Sequence, residues 1–172
     1  MAIDQYIKEI VASTKKRRVE GKKRLQKLVF LLEEAGFPSG AKFFLKDYGP
    51  FSRDVESASD FMSFFGELVE RPVEIGYSNY LATAYELPVD HDEEVSPKDD
   101  FVKTVRILDA YRTVDLEIAS TIRFFQREGY SFERALRETK EIKPSKSTDK
   151  VIAHAKEILS RIPVSNVTAA HS

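Results

Sequence analysis

Residues 45–55 read LKDYGPFSRDV, with the run Tyr48, Gly49, Pro50, Phe51 and Ser52 set between two stretches of helical periodicity. Proline at position 50 disfavours the α region for Gly49, so the backbone is extended or turning there. Ser52 then offers a side-chain oxygen to the free N–H groups of a new helix, and Asp54 puts a carboxylate near that helix's positive end. The run predicts a turn that launches a helix over residues 53–68, with Tyr48 and Phe51 pinning the turn to the core. Val55, Ala58, Phe61, Met62, Phe65 and Leu68 recur at helical spacing and form its predicted buried face.

Upstream, Ile3, Tyr6, Ile7, Ile10 and Val11 make one apolar stripe on a first helix. A basic connector, TKKRRVEGKKR, follows, with Gly21 as its bend. The next helix, KRLQKLVFLLEEAG, has a main face of Leu25, Leu28, Val29 and Leu32, while Phe30 and Leu31 fill much of the rest. A helix apolar nearly all round is central, with neighbours on several sides. Gly36 suits the left-handed position past its end, Pro38 stops it, and residues 41–47 read as a short strand or a single turn.

Downstream, residues 73–75 and 80–87 read as two strands of a hairpin around residues 76–79. Residues 89–100 are acidic and hold the second of two prolines, an exposed linker and the best subdomain boundary. Helices are predicted over residues 101–112, 113–128, 131–141 and 148–161, and the tail 164–172 is small and polar. The expected fold is mainly α with a small β-hairpin, an α+β chain with a winged-helix-like core over residues 1–88 and a C-terminal helical part, residues 101–163, packed on it.

The bulk numbers suit a folded protein: 172 residues, 42% hydrophobic and 32% charged. No apolar run approaches the roughly 20 residues that span a bilayer. The start, MAIDQYIKEI, lacks the basic-then-apolar order of a secretory signal, so a cytoplasmic location is expected. The absence of cysteine excludes disulfides, thiolate nucleophiles and cysteine-held zinc. The net charge of -1 is unevenly spread: residues 1–27 carry +6, residues 28–100 carry -11 and residues 101–172 carry +4.

KRLQKLVFLLEEAG, the YGPFS run and the later DLEIASTIRFF segment together resemble small prokaryotic proteins of the YwgA type. These are distantly similar to the SocA/Panacea antitoxin domain, in which an apolar helix also precedes a Tyr-Gly-Pro turn. Val29 and Phe30 stand where that domain has an aromatic pair. The resemblance implies a module that acts by binding another protein, often a toxin, without catalysis.

The residues themselves offer little for catalysis. His91 sits in the acidic run 90–94, which reads as solvated linker rather than a metal site. His154 has no acidic partner nearby in sequence, and His171 lies in the tail. No phosphate-loop, nucleophile-elbow or zinc-helix pattern occurs. Glu117, set among apolar residues, reads as facing solvent; the other reading is a buried acid with a cationic partner. The expectation is therefore no enzyme, no metal and no cofactor.

Lys15, Lys16, Arg17, Arg18, Lys22, Lys23, Arg24 and Lys27 form the candidate partner-binding cluster. It reads equally as a phosphate grip or as a solvated face. In the helix after the turn, Asp54, Glu56, Asp60, Glu67 and Glu70 oppose Arg53, which sets that surface against a major groove. The expected function is a protein-binding module, antitoxin-like or regulatory. The alternative is a DNA-binding regulator using residues 15–27.

Overall fold

The computed structural model describes residues 1–74, 81–91 and 95–162. The chain is mainly α with a small β part, as the periodicities predict. Helix α1 (Ile3–Ser13) buries Tyr6, Ile7, Ile10 and Val11, the expected stripe. The basic connector then makes a strand that its sequence does not suggest, β1 (Arg18–Glu20). Helix α2 (Lys22–Glu34) follows and is buried on every side from Arg24 to Leu32. Arg24, Gln26 and Lys27 go under with the apolar residues, which periodicity alone does not foresee.

The 41–47 stretch is settled as a strand, β2 (Phe44–Lys46), paired antiparallel with β3 (Gly49–Phe51). Ser52 caps helix α3 (Arg53–Phe64), accepting a hydrogen bond from the Val55 N–H. This helix is shorter than expected. Its buried stripe is Val55, Ser59 and Met62, and Gly66, at a positive φ of 75°, lies just past its end. Phe61 lies about 120° around the helix from Val55. Phe61 and Phe65 are thus exposed, correcting the predicted buried face.

Strands β4 (Val69–Glu74) and β5 (Leu81–Glu86) pair antiparallel, and β1 adds to the other side of β5, giving the order β1-β5-β4. β4 starts earlier than expected because Pro72, which lacks a ladder N–H, sits on an edge strand where that loss is tolerated. The hairpin's turn over residues 76–79, with residues 75 and 80 of its predicted strands, lies outside the described residues. So do residues 92–94 of the predicted linker and the tail with His171. A short 3-10 turn spans Val89–His91, and residues 95–98 have no regular structure.

Four helices complete the described chain: α4 (Asp99–Asp109), α5 (Thr113–Arg127), α6 (Phe132–Ile142) and α7 (Asp149–Arg161). Ser131 and Thr148 cap the last two through their hydroxyls. Helix α5 is buried from Asp115 to Phe124 and packs against α2, α6, α7 and β3. One hydrophobic cluster therefore runs from Ile7 and Leu28 through Val105 and Ile122 to Ile158.

Candidate functional site

The YGPFS run is held down by its backbone more than by its aromatics. Gly49 and Pro50 are buried while Tyr48 is 56% exposed, so Tyr48 does not pin the turn as expected. Gly49 has φ +91°, and a Cβ there would lie 2.6 Å from Thr121 Oγ1 on α5. Only glycine meets both conditions. Carbonyls of the run, and that of Asp47 just before it, are taken up by side chains from distant elements. Lys27 Nζ donates to the Pro50 carbonyl (2.6 Å), and Lys143 Nζ, just past α6, donates to that of Asp47 (2.7 Å). Gln26 grips Ser52 twice: its Nε2 donates to the Ser52 carbonyl (2.9 Å) and its Oε1 accepts from the Ser52 N–H (2.8 Å).

Beneath the turn lies Glu117, 1% exposed. The solvent-facing reading is corrected: α5 is central, so even its charged positions face neighbours. Glu117 Oε1 accepts from Lys143 Nζ at 2.8 Å and from Lys146 Nζ at 2.9 Å, and Lys23 Nζ stands 3.5 Å from Oε2. Lys23 and Lys146 also lie over the Tyr48 ring, 4.1 Å and 5.0 Å from its centre. Burial by itself would push the Glu117 carboxyl up. Hydrogen bonds from Lys143 and Lys146, with the charges of Lys143 and Lys23, outweigh it and hold the group below the ordinary carboxylate range. For Lys27, burial pushes the ammonium down to about 7. Glu117 opposes this, and the charges of Lys143, Lys23 and Lys146 add to it.

A half-open pocket of about 380 Å³ lies between α2, α3 and the β2–β3 hairpin. Leu25, Phe51 and Val55 supply apolar wall, and Lys22, Lys23, Lys27 and Lys46 supply charge. Helix α2 begins here after Gly21, with no side-chain cap and no acid in its first turn.

The basic segment does not form one patch. Lys22, Lys23 and Lys27 turn to this pocket, whereas Lys15, Lys16, Arg18 and Arg24 line a separate hollow beside Asp109 and Thr113. Arg24 is 8% exposed and donates to the Asp109 carbonyl (2.8 Å) and to Thr113 Oγ1 (3.2 Å). Lys16 and Arg18 both reach Glu20, and Lys22 reaches Asp60 at 3.2 Å. The Arg17 side chain donates to the Ala12 carbonyl at 3.1 Å.

His154 also departs from expectation, since its Nδ1 lies 3.2 Å from Oδ1 of the buried Asp115. Asp115 already accepts hydrogen bonds from the Arg112 N–H and guanidinium. Among the described residues no group of three histidine or acidic side chains is placed to hold a metal ion.

At the end of α3, Phe61, Phe64 and Phe65 are 60%, 84% and 60% exposed. Their rings pack on one another, with centres 4.4 Å and 5.1 Å apart. Neither this patch nor the set of Glu117, Lys143 and Lys146 is visible in a local reading of the sequence. The one available signal was an acid inside the apolar run 114–119. The chain matches no protein-family model, no curated protein and no solved structure.

Proposed function

We propose that this chain is a non-enzymatic protein-binding module, antitoxin-like or regulatory and cytoplasmic, whose partner docks on the end of α3. The observation that carries this reading is the cluster of Phe61, Phe64 and Phe65. Three adjoining exposed phenylalanines are costly to leave in water, and such patches mark interaction sites. The helix order followed by the β1-β5-β4 sheet supports a winged-helix-like arrangement of residues 1–86, with α3 in the position that presents a surface. The resemblance to YwgA-type proteins, and more distantly to the SocA/Panacea antitoxin domain, supports a protein as the ligand.

Charge selects the kind of partner. Asp54, Glu56 and Asp60 lie exposed on α3, and Glu67 follows it. The complementary surface is an apolar cleft with a basic rim. A second copy of this chain would bring the same acids together, so a different protein fits better. The alternative, DNA binding through residues 15–27, has less support because those cations diverge and several are spent on internal carboxylates.

The test immobilises the full chain and a Phe61→Ser, Phe64→Ser, Phe65→Ser variant against an extract of the native host. A partner retained by the first and released by the second, more readily at high salt, is the expected outcome. The reading fails if the two retain the same proteins or if neither retains any. A mobility shift with genomic fragments, abolished by changing Lys15 and Lys16, would favour the alternative.

A further inference from the structure

The pocket over Lys27 carries charge that docking on α3 leaves unused. Four of its lining residues are lysines, Lys22, Lys23, Lys27 and Lys46, and two are acids, Asp47 and Glu56. Asp60 holds Lys22 from outside, and Glu117, reached through Lys23, carries Lys143 and Lys146. Six lysines thus stand against four carboxylates, which leaves two positive charges over when Lys27 is protonated and one when it is not. Uncompensated charge in a half-buried site is costly, and a bound dianion removes that cost.

The shape and the donors narrow the dianion's chemistry. Lys27 is 1% exposed, lines the pocket and spends one of its three donors, on the Pro50 carbonyl. Every cation lining the pocket is a lysine. Ammonium groups act as point charges that suit a tetrahedral phosphate, and a phosphate monoester, with a charge of about -1.5 to -2 at pH 7, answers the excess better than the single charge of a carboxylate. The apolar wall of Leu25, Phe51 and Val55 accommodates a flat body. The volume, about 380 Å³, lies at the small end of ligand pockets, roughly 300–1,000 Å³.

We infer that the pocket between α2, α3 and the β2–β3 hairpin binds a small organic phosphate monoester, its phosphate on Lys23, Lys27 and Lys46 and its flat apolar body against Leu25, Phe51 and Val55. Such a ligand would bridge the first turn of α2 to the hairpin and tie together the elements that flank α3. A dianion beside Lys27 would also raise the proton affinity that burial has lowered. The site shares Glu56 and Asp60 with the proposed docking face on α3, but its ligand does not touch Phe61, Phe64 or Phe65 and its test needs no protein partner.

Phenyl phosphate, phenol, inorganic phosphate and benzoate are titrated calorimetrically into the full chain. Phenyl phosphate should bind tighter than each of the others by about tenfold or more, because phenol and benzoate lose charge-assisted hydrogen bonds to the lysines and inorganic phosphate loses the burial of the ring. Lys23→Gln and Lys46→Gln should each weaken it by about tenfold, and Lys15→Gln should leave it unchanged. Lys27→Met should abolish binding, with folding checked by its melting curve. That variant also loses the bond to Pro50, so Lys46→Gln, at an exposed position, decides the matter if Lys27→Met does not fold. Bound phenyl phosphate should shift the titration of Lys27 Nζ upward by nitrogen NMR. The inference is overturned by no heat with phenyl phosphate, by equal binding of inorganic phosphate or benzoate, or by an affinity indifferent to Lys23 and Lys46.

Discussion

Single side chains show how much of this protein hangs on the turn after α2. Gly49→Ala introduces both a left-handed strain and a Cβ 2.6 Å from Thr121 Oγ1, and should destabilise the fold by about 2–4 kcal/mol in denaturant melts. Pairing it with Thr121→Ala should recover the steric part and leave the backbone part, so the double variant should lose less than the sum of the singles. A melt unchanged from wild type would mean that the close approach to α5 is absent. Lys27 predicts a pH dependence with a definite sign. Its folded pKa, about 7, lies below its ordinary 10.5, so between those values the unfolded chain binds more protons. Stability should therefore rise with pH across that window, the penalty being full below pH 7 and gone above 10.5. Lys27→Met should flatten that slope, whatever it does to absolute stability. Glu117 gives a slope of the same sign at acid pH, from a gain rather than a penalty: its depressed pKa contributes stability above the ordinary carboxylate value, lost as pH falls through the folded one.

Whole helices differ in how their exposed and buried faces respond to change. On α3, Met62→Ala should cost about 2–4 kcal/mol because that side chain is enclosed by the core. Phe64→Ser, two residues on, should shift stability by no more than about 0.5 kcal/mol, which denaturant unfolding of both variants checks. On α2 the contrast falls among the cations. From sequence, reversing Lys22, Lys23 and Arg24 together is expected to leave the fold intact, since all three read as surface. The structure corrects this for Arg24, whose guanidinium is enclosed with Asp109 and Thr113. Arg24→Glu should destabilise by about 3–5 kcal/mol by placing a carboxylate against Asp109. Lys22→Glu should stay within about 1 kcal/mol of wild type, its partner Asp60 being exposed.

At the scale of the molecule, α5 joins the two halves of the described chain. It buries one side against α2 and β3 and another against α6 and α7, and its Glu117 takes lysines from both α2 and the segment after α6. Residues 1–98 alone would expose the face of α2 that α5 now covers, Phe30 with its ring contact to Phe124 included. That fragment should therefore show helical circular dichroism without a cooperative melt. A sharp two-state transition from it would mean that the N-terminal elements need no C-terminal cover.

What the sequence by itself determined is what neighbouring residues decide among themselves. The stripe of α1, the central place of α2, the cap at Ser52, the positive φ at Gly36 and the boundaries set by Ser131 and Thr148 follow from spacing and local hydrogen bonding. Tertiary structure decided the rest, because it depends on partners far along the chain. Strand β1 exists through pairing with β5, some sixty residues on, which its basic composition does not announce. Phe61 and Phe65 have the spacing of buried residues yet face outward, since α1 and α2 cover α3 over a narrower arc than its apolar stripe. The basic segment looks continuous in one dimension, but the turn after α1, strand β1 and helix α2 project its side chains to two hollows. Glu117 becomes an ion-pair centre only when α2 and the segment after α6 deliver lysines to it, more than twenty residues away in either direction. A charge's chemistry is set by what desolvates and pairs it, and that environment is assembled only on folding.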